Sequence, residues 1–206
     1  MLERVAYFQG RKDDAPNIEV ADELVQSGNR KGVKSIAAGL HHENRLVTGD
    51  AVKVLYEIGY RKPELIAPYA AEFITLLSSR VNRLVWGGMI ALGTIAHLVP
   101  ELIWENLDVV KKAYQTGGVI AVDHAVTVFA KISRAAPRFE KTVFPLLLEH
   151  LAACRPKEVP QHAERAAEAV TAKNAAAFRN VLEKRRRDLT ERQQKRLDAV
   201  LKKISA

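Results

Sequence analysis

Asn82-Arg83-Leu84-Val85-Trp86-Gly87-Gly88-Met89-Ile90-Ala91-Leu92-Gly93-Thr94-Ile95-Ala96-His97-Leu98-Val99-Pro100-Glu101-Leu102 is the stretch from which the fold is read. It combines a long apolar helical run, small residues suited to close packing, and a proline able to open a second helix. Its skeleton recurs in both directions. Pro63, Pro100 and Pro137 stand at intervals of 37 residues, as do Leu55, Leu92 and Phe129, and Ile58, Ile95 and Ile132. A unit of two amphipathic helices cannot bury its apolar stripes alone. Stacking successive pairs gives a continuous core, so a repeat of this length predicts an all-α solenoid, a superhelix of antiparallel helical hairpins with a period of about 37 residues.

Working outward, the regular units extend over 43–172. Leu46, Val47, Ala51, Val54, Leu55 and Ile58 form one stripe, and Pro63 opens a helix that buries Leu65, Ile66, Tyr69, Phe73, Ile74 and Leu77. Pro100 to Tyr114 reads as one further helix, Gly117-Gly118 as a turn, Val119 to Ala135 as a helix, and Pro137 as the start of the next. Pro145 inside that last run predicts a kink or a later start. Residues 1–42 read as a lead-in and two N-terminal capping helices. Asn17 caps the first, whose inward positions are Ile18, Ala21, Leu24 and Val25; Gly28 ends it, and Asn29 caps the second. Residues 173–206 read as a basic C-terminal capping pair, opened by Asn174 at the interval where prolines stood before and by Thr190. A single domain is expected over 1–206.

Composition agrees. Hydrophobic residues make up 48%, charged residues 27% and aromatics only 6% of 206 residues, a balance of helix-forming side chains in a globular chain. No window has the uninterrupted apolar length of a membrane span. Cys154 is the only cysteine, which excludes an intrachain disulfide and points to a reducing cytoplasm. The net charge of +8 is concentrated at one end: between Lys184 and Lys203 nine basic residues face three acids, leaving +6 there.

The second-helix segment Ala91-Leu92-Gly93-Thr94-Ile95 resembles the Ala-Leu-Gly-x-Ile segment of HEAT repeats, and Pro63 and Pro100 stand where a HEAT unit's first helix begins. The resemblance to HEAT-like, armadillo-type proteins covers roughly 43–172. It lacks the Asp and Arg that such units often carry between helices, the corresponding positions being near Ser79 and Val85. The resemblance implies a concave wall lined by second helices, and hence a non-enzymatic scaffold that binds another protein or peptide there.

Polar residues early in those helices are the candidates: Asn82, Arg83 and Trp86 on neighbouring turns, then Asp123 and Gln161 at the repeat interval, flanked by Arg45 and His162. The competing reading makes Trp86 a core side chain and Asp123 a helix-surface residue. The stretch Arg155 to His162, with two prolines, reads as the least helical part of the array, either a binding connection or a plain link between units stiffened by its prolines.

The alternative partner is nucleic acid. Arg185, Arg186, Arg187, Arg192, Lys195 and Arg196 would contact its phosphates. Some HEAT-like proteins are DNA alkylation-repair glycosylases, and only by that analogy would Asp123 and Trp86 enter a catalytic site; no catalytic motif matches residue by residue. The six histidines include no His-Glu-x-x-His segment and no Cys-His ligand set, so no metal and no cofactor are expected. Cys154, with no neighbouring His or Asp in the reading, is taken as an inert thiol.

Overall fold

The computed structural model describes residues 1–204. Among these residues the secondary structure is entirely helical, without a strand. The last two residues of the expected 173–206 segment lie outside the described part. The chain forms two compact units, the first Met1–Ala125 and the second from Val126 onward.

In the first unit the helices are α1 (Ala15–Ser27), α2 (Arg30–Ala38), α3 (Arg45–Gly59), α4 (Ala70–Leu76), α5 (Asn82–Ile95), α6 (Pro100–Glu105) and α7 (Leu107–Thr116); α8 (Val119–Ala135) begins there and runs past the boundary. α3 is central, packed on α1 and α5, while α4 lies on α5. The organising stretch forms α5, with Leu84, Met89, Leu92 and Ile95 fully buried. Gly28 ends α1 in the left-handed conformation (φ 63°), and its N–H donates to the Leu24 carbonyl at 3.0 Å. A side chain is disfavoured at that φ. Asn29 caps α2 through its side chain, which accepts from Gly32 N at 2.9 Å.

Several elements differ from the sequence expectation, each for a local reason. α1 begins at Ala15 with Asp14 at the cap position, so Asn17 lies inside the helix and is buried, while Ile18 faces outward. Leu46, expected on the inner stripe of α3, is exposed as well. The helix expected from Pro63 is instead two 3-10 turns, Pro63–Leu65 and Ala67–Tyr69, before α4 starts at Ala70. Pro68 is the cause: it has no N–H to offer an α-helix and biases Ala67 away from α geometry. The helix expected from Pro100 to Tyr114 is divided at Asn106, whose side-chain amide donates to the Leu102 carbonyl at 2.9 Å and competes with the backbone ladder.

The second unit contains α9 (Pro137–Ala153), α10 (Val159–Ala166), α11 (Ala175–Arg185) and α12 (Glu191–Lys203) together with the end of α8. α11 packs on α9, and α10 packs on both α9 and α12. Pro137 occupies the first turn of α9, as Pro100 does in α6. α9 starts at Pro137 without delay and continues through Pro145, which is exposed, so the carbonyl left without its usual donor is open to hydration. The stretch 155–162 is not a loop. A 3-10 turn, Pro156–Glu158, leads into α10, with Pro160 in its first turn, where a missing N–H costs nothing. Asn174 does precede α11, but its side chain works differently from a cap: it accepts from Thr171 N at 2.8 Å and donates to Glu140 at 2.9 Å.

Close packing of α3 depends on its last residue. A Cβ at Gly59 would lie 2.7 Å from Ile66 Cδ1 and nearer still to Thr94 Oγ1, both on buried side chains. Gly59→Ala is therefore expected to destabilise by about 1–2 kcal/mol, overpacking outweighing the helix propensity gained. Urea denaturation followed by circular dichroism checks it; a stabilised variant would mean that the α3–α5 contact is looser than described.

Candidate functional site

The first unit carries a recess of about 440 Å³ lined by Tyr7, Arg11, Lys12, Asp13, Asp14, Leu46, Asp50, Arg83 and Trp86. Asp50 is its fixed point. It sits on α3 between Val47 and Val54, on the same face, and is only 5% exposed. A buried carboxylate must be well bonded. Its Oδ2 accepts the Tyr7 backbone N–H at 2.8 Å; Oδ1 accepts the Asn17 amide at 3.1 Å and the Arg83 guanidinium at 3.2 Å. Asn17 in turn accepts the Ala6 N–H at 3.0 Å. One acid thus ties together the leading segment, α1, α3 and α5.

Arg83, in the first turn of α5, also lies 3.7 Å from Asp14, and Lys53 lies 3.6 Å from the same carboxylate. The Ala15 N–H and the Arg11 guanidinium hold the Asp13 carboxyl below the ordinary carboxylate range. Trp86, one turn beyond Arg83, is half-buried, with the Tyr56 ring 6.4 Å away. Trp86 is therefore neither sealed in the core nor a free surface residue. The exposed apolar side chains Tyr7, Phe8 and Leu46 are in the same region: Tyr7 and Leu46 line the recess, and the Tyr7 and Phe8 rings meet edge to face at 5.2 Å.

Of the residues expected on the recognition stripe, Arg83 and Trp86 come together in this recess. Arg45 and Asn82 are the exposed first residues of α3 and α5, and Asp123 is half-buried on α8; none of the three is in the lining. Gln161 and His162 belong to α10 in the second unit. Gln161 is half-buried, and His162 is fully buried, its Nδ1 2.7 Å from Nε2 of His150. Burial removes His162 from any solvent-facing stripe.

Most of the basic residues proposed for phosphate contact are engaged within the second unit. Arg185 has an 11% exposed side chain that donates to the carbonyls of Leu151 (2.7 Å) and Cys154 (2.8 Å) and pairs with Asp188 at 2.9 Å. It thereby closes the C-terminus of α9, where a cation meets the helix dipole. Arg186 bridges Glu183 and Asp198, each at 2.7 Å. Arg196 is paired with Glu164 at 2.6 Å and Lys195 with Glu191 at 2.8 Å. Arg187 and Arg192 are exposed. Lys131, on α8, is half-buried, and burial lowers its pKa against the opposing field of Glu168.

Sequence reasoning missed every recess residue except Arg83 and Trp86, Tyr7, Asp14 and Asp50 among them. Asp50 left a signal, an acid on the apolar face of an otherwise hydrophobic helix; Tyr7 and Asp14 left none.

Among the described residues no helix is long and apolar enough to cross a membrane. No protein-family model matches the chain, and no curated protein matches it either. Solved structures do. An engineered protein aligns with a TM-score of 0.62 at 19% identity, covering 99% of this chain and 96% of its own. A designed armadillo repeat protein in complex with the peptide (KR)4 aligns with a TM-score of 0.67 at 16% identity over 91% of both chains. A further engineered protein aligns at 0.65 and 17% identity over 98% of both. At these identities the likeness concerns the fold, which is that of armadillo/HEAT-like helical repeats.

Proposed function

We propose that this chain is a non-enzymatic scaffold that binds a peptide segment of another protein in the recess around Trp86. The observation that carries the reading is the lining itself: a half-exposed indole beside carboxylates, an arginine and exposed apolar side chains. Trp, Tyr and Arg are the residues that dominate protein interfaces, and a mixed lining suits a polypeptide with both apolar and charged side chains. A recess of this size accepts one or two side chains. The designed armadillo neighbour is in complex with the peptide (KR)4, which supports a peptide as the class of ligand for this fold. A polyanion would need a run of unengaged cations, whereas the strongest cation cluster is largely paired with Glu164, Glu183, Glu191 and Asp198. The single thiol, with no second cysteine in the sequence, supports the reducing cytoplasm as its compartment.

The test is fluorescence-polarisation binding of a labelled octapeptide panel, basic, acidic and aromatic, with a DNA and RNA salt series in parallel. At least one peptide class is expected to bind. Trp86→Ala should weaken that binding by about tenfold or more while costing only about 1–2 kcal/mol of stability, less than a fully buried tryptophan. Peptide binding unchanged in Trp86→Ala would remove this recess as the site. Tight binding to nucleic acid that falls steeply with salt would replace the proposal.

A further inference from the structure

A second group of functional side chains lies in the other unit, where the sequence reading found no ligand set. His150 and Cys154 are four residues apart, one at the end of α9 and the other just past it, so they share a helical face. α10 brings His162 against them. One ligand atom from each of the three residues falls within 4.8 Å of the others. The His150 and His162 rings are 4.6 Å apart between centroids and tilted by 49°, with ring nitrogens 2.7 Å apart. His150 is 8% exposed and His162 fully buried, whereas Cys154 is half-buried. The supporting backbone is fixed: Cys154 N donates to the His150 carbonyl at 2.8 Å, and Arg185 holds the carbonyls of Leu151 and Cys154.

We propose that His150, Cys154 and His162 form a three-ligand site for zinc(II) that pins α10 to the end of α9. Two imidazoles and a thiolate are a borderline-soft donor set, suited to zinc and unsuited to magnesium or calcium. Zinc–nitrogen bonds of about 2.0–2.1 Å and zinc–sulfur bonds of about 2.3 Å in a tetrahedron put ligand atoms about 3.3–3.6 Å apart. The two nitrogens, 2.7 Å apart, must therefore open by about 0.6 Å, and the sulfur, no more than 4.8 Å from them, must close by at most about 1.2 Å. Side-chain torsions at a helix end accommodate both movements. Both imidazoles bind as neutral rings: His150 through Nε2, keeping its proton on Nδ1, and His162 through Nδ1, keeping its proton on Nε2. The proton shared between them in the metal-free pair moves to the far nitrogen of its own ring, and the thiol proton is released to solvent as the zinc–sulfur bond forms. The fourth position is left for water or an added ligand on the exposed side of Cys154. This site is independent of the peptide-binding recess.

The test is titration of the metal-free, untagged chain with cobalt(II) as a spectroscopic probe, followed by displacement with zinc(II). One equivalent is expected to give visible d–d bands of tetrahedral intensity and a near-ultraviolet thiolate-to-cobalt charge-transfer band, both abolished by zinc. Cys154→Ser should lose the charge-transfer band with an unchanged helical spectrum, and His162→Asn should weaken cobalt binding by at least about tenfold. Should His162→Asn fail to fold, Cys154→Ser decides, because the half-buried sulfur is replaced by a near-isosteric oxygen. Absence of the charge-transfer band in the wild-type chain, or its persistence in Cys154→Ser, overturns the site.

Discussion

Asp50→Ala is expected to lower the unfolding free energy by about 3 kcal/mol, because hydrogen bonds to a buried charge contribute about 1.5–3 kcal/mol each and the Asn17 amide left behind is itself fully buried. The Asn17 amide and the Tyr7 N–H lose their acceptor together. Removing the other end of the ion pair is milder. Arg83 is more than a third exposed, so Arg83→Ala should cost about 1 kcal/mol or less, water taking over part of its role. The two variants separate the buried network from the ion pair in guanidinium denaturation. Amide hydrogen exchange adds a local readout: in Asp50→Ala the amides of Ala6 and Tyr7 should lose protection while those of Leu92 and Ile95 in α5 keep theirs. A loss below about 1 kcal/mol, with Tyr7 still protected, would mean that something other than Asp50 holds the leading segment.

Phe178→Ala should cost about 3–5 kcal/mol, the range for removing a fully buried aromatic side chain. Phe178 is buried in α11, and its ring lies 6.5 Å from that of Phe144 on α9, so truncation leaves a cavity between two helices. Neither helix can close it easily, since Arg185 fixes the end of α11 to the end of α9. Phe178→Leu, which keeps most of the volume, should lose only about 1–2 kcal/mol. Thermal and urea unfolding of the pair measure the difference; equal losses would show that ring packing against Phe144, not volume, sets the cost.

The apolar run in α5 and the prolines opening α6 and α9 were legible because both depend on local chemistry: periodic burial and a helix start that needs no N–H. Local chemistry also explains the errors. Pro68 and Asn106 were present in the sequence and divide the helices that were expected to be continuous. Asn17 was read as a cap because it precedes an apolar run, whereas its partners are Ala6, in the segment before α1, and Asp50, 33 residues later. The Asp–Arg pair that HEAT units often carry is lacking near Ser79 and Val85, and the structure instead pairs Asp50 with Arg83 across α3 and α5. Site residues were the least legible. Trp86 and Arg83 were found because they are one turn apart, while Tyr7 and Asp14 reach the recess only through tertiary packing. His150 and Cys154 were in view at helical spacing, yet the third member, His162, comes from a stretch read as a loop, so the trio formed no recognisable pattern.

The anchoring of Tyr7 by Asp50 also has a consequence in time. Residues 5–8 leave the ribosome before α3 exists, yet their holding partner comes 43 residues later. At about 5–20 residues per second that interval is roughly 2–9 s. Helical hairpins close within far less than that, so α1 and α2 can form while Val5, Tyr7 and Phe8 remain bare apolar side chains ahead of them. The part of the unit made first is then the part fastened last, and its period of greatest vulnerability to aggregation or proteolysis ends only when Asp50 arrives.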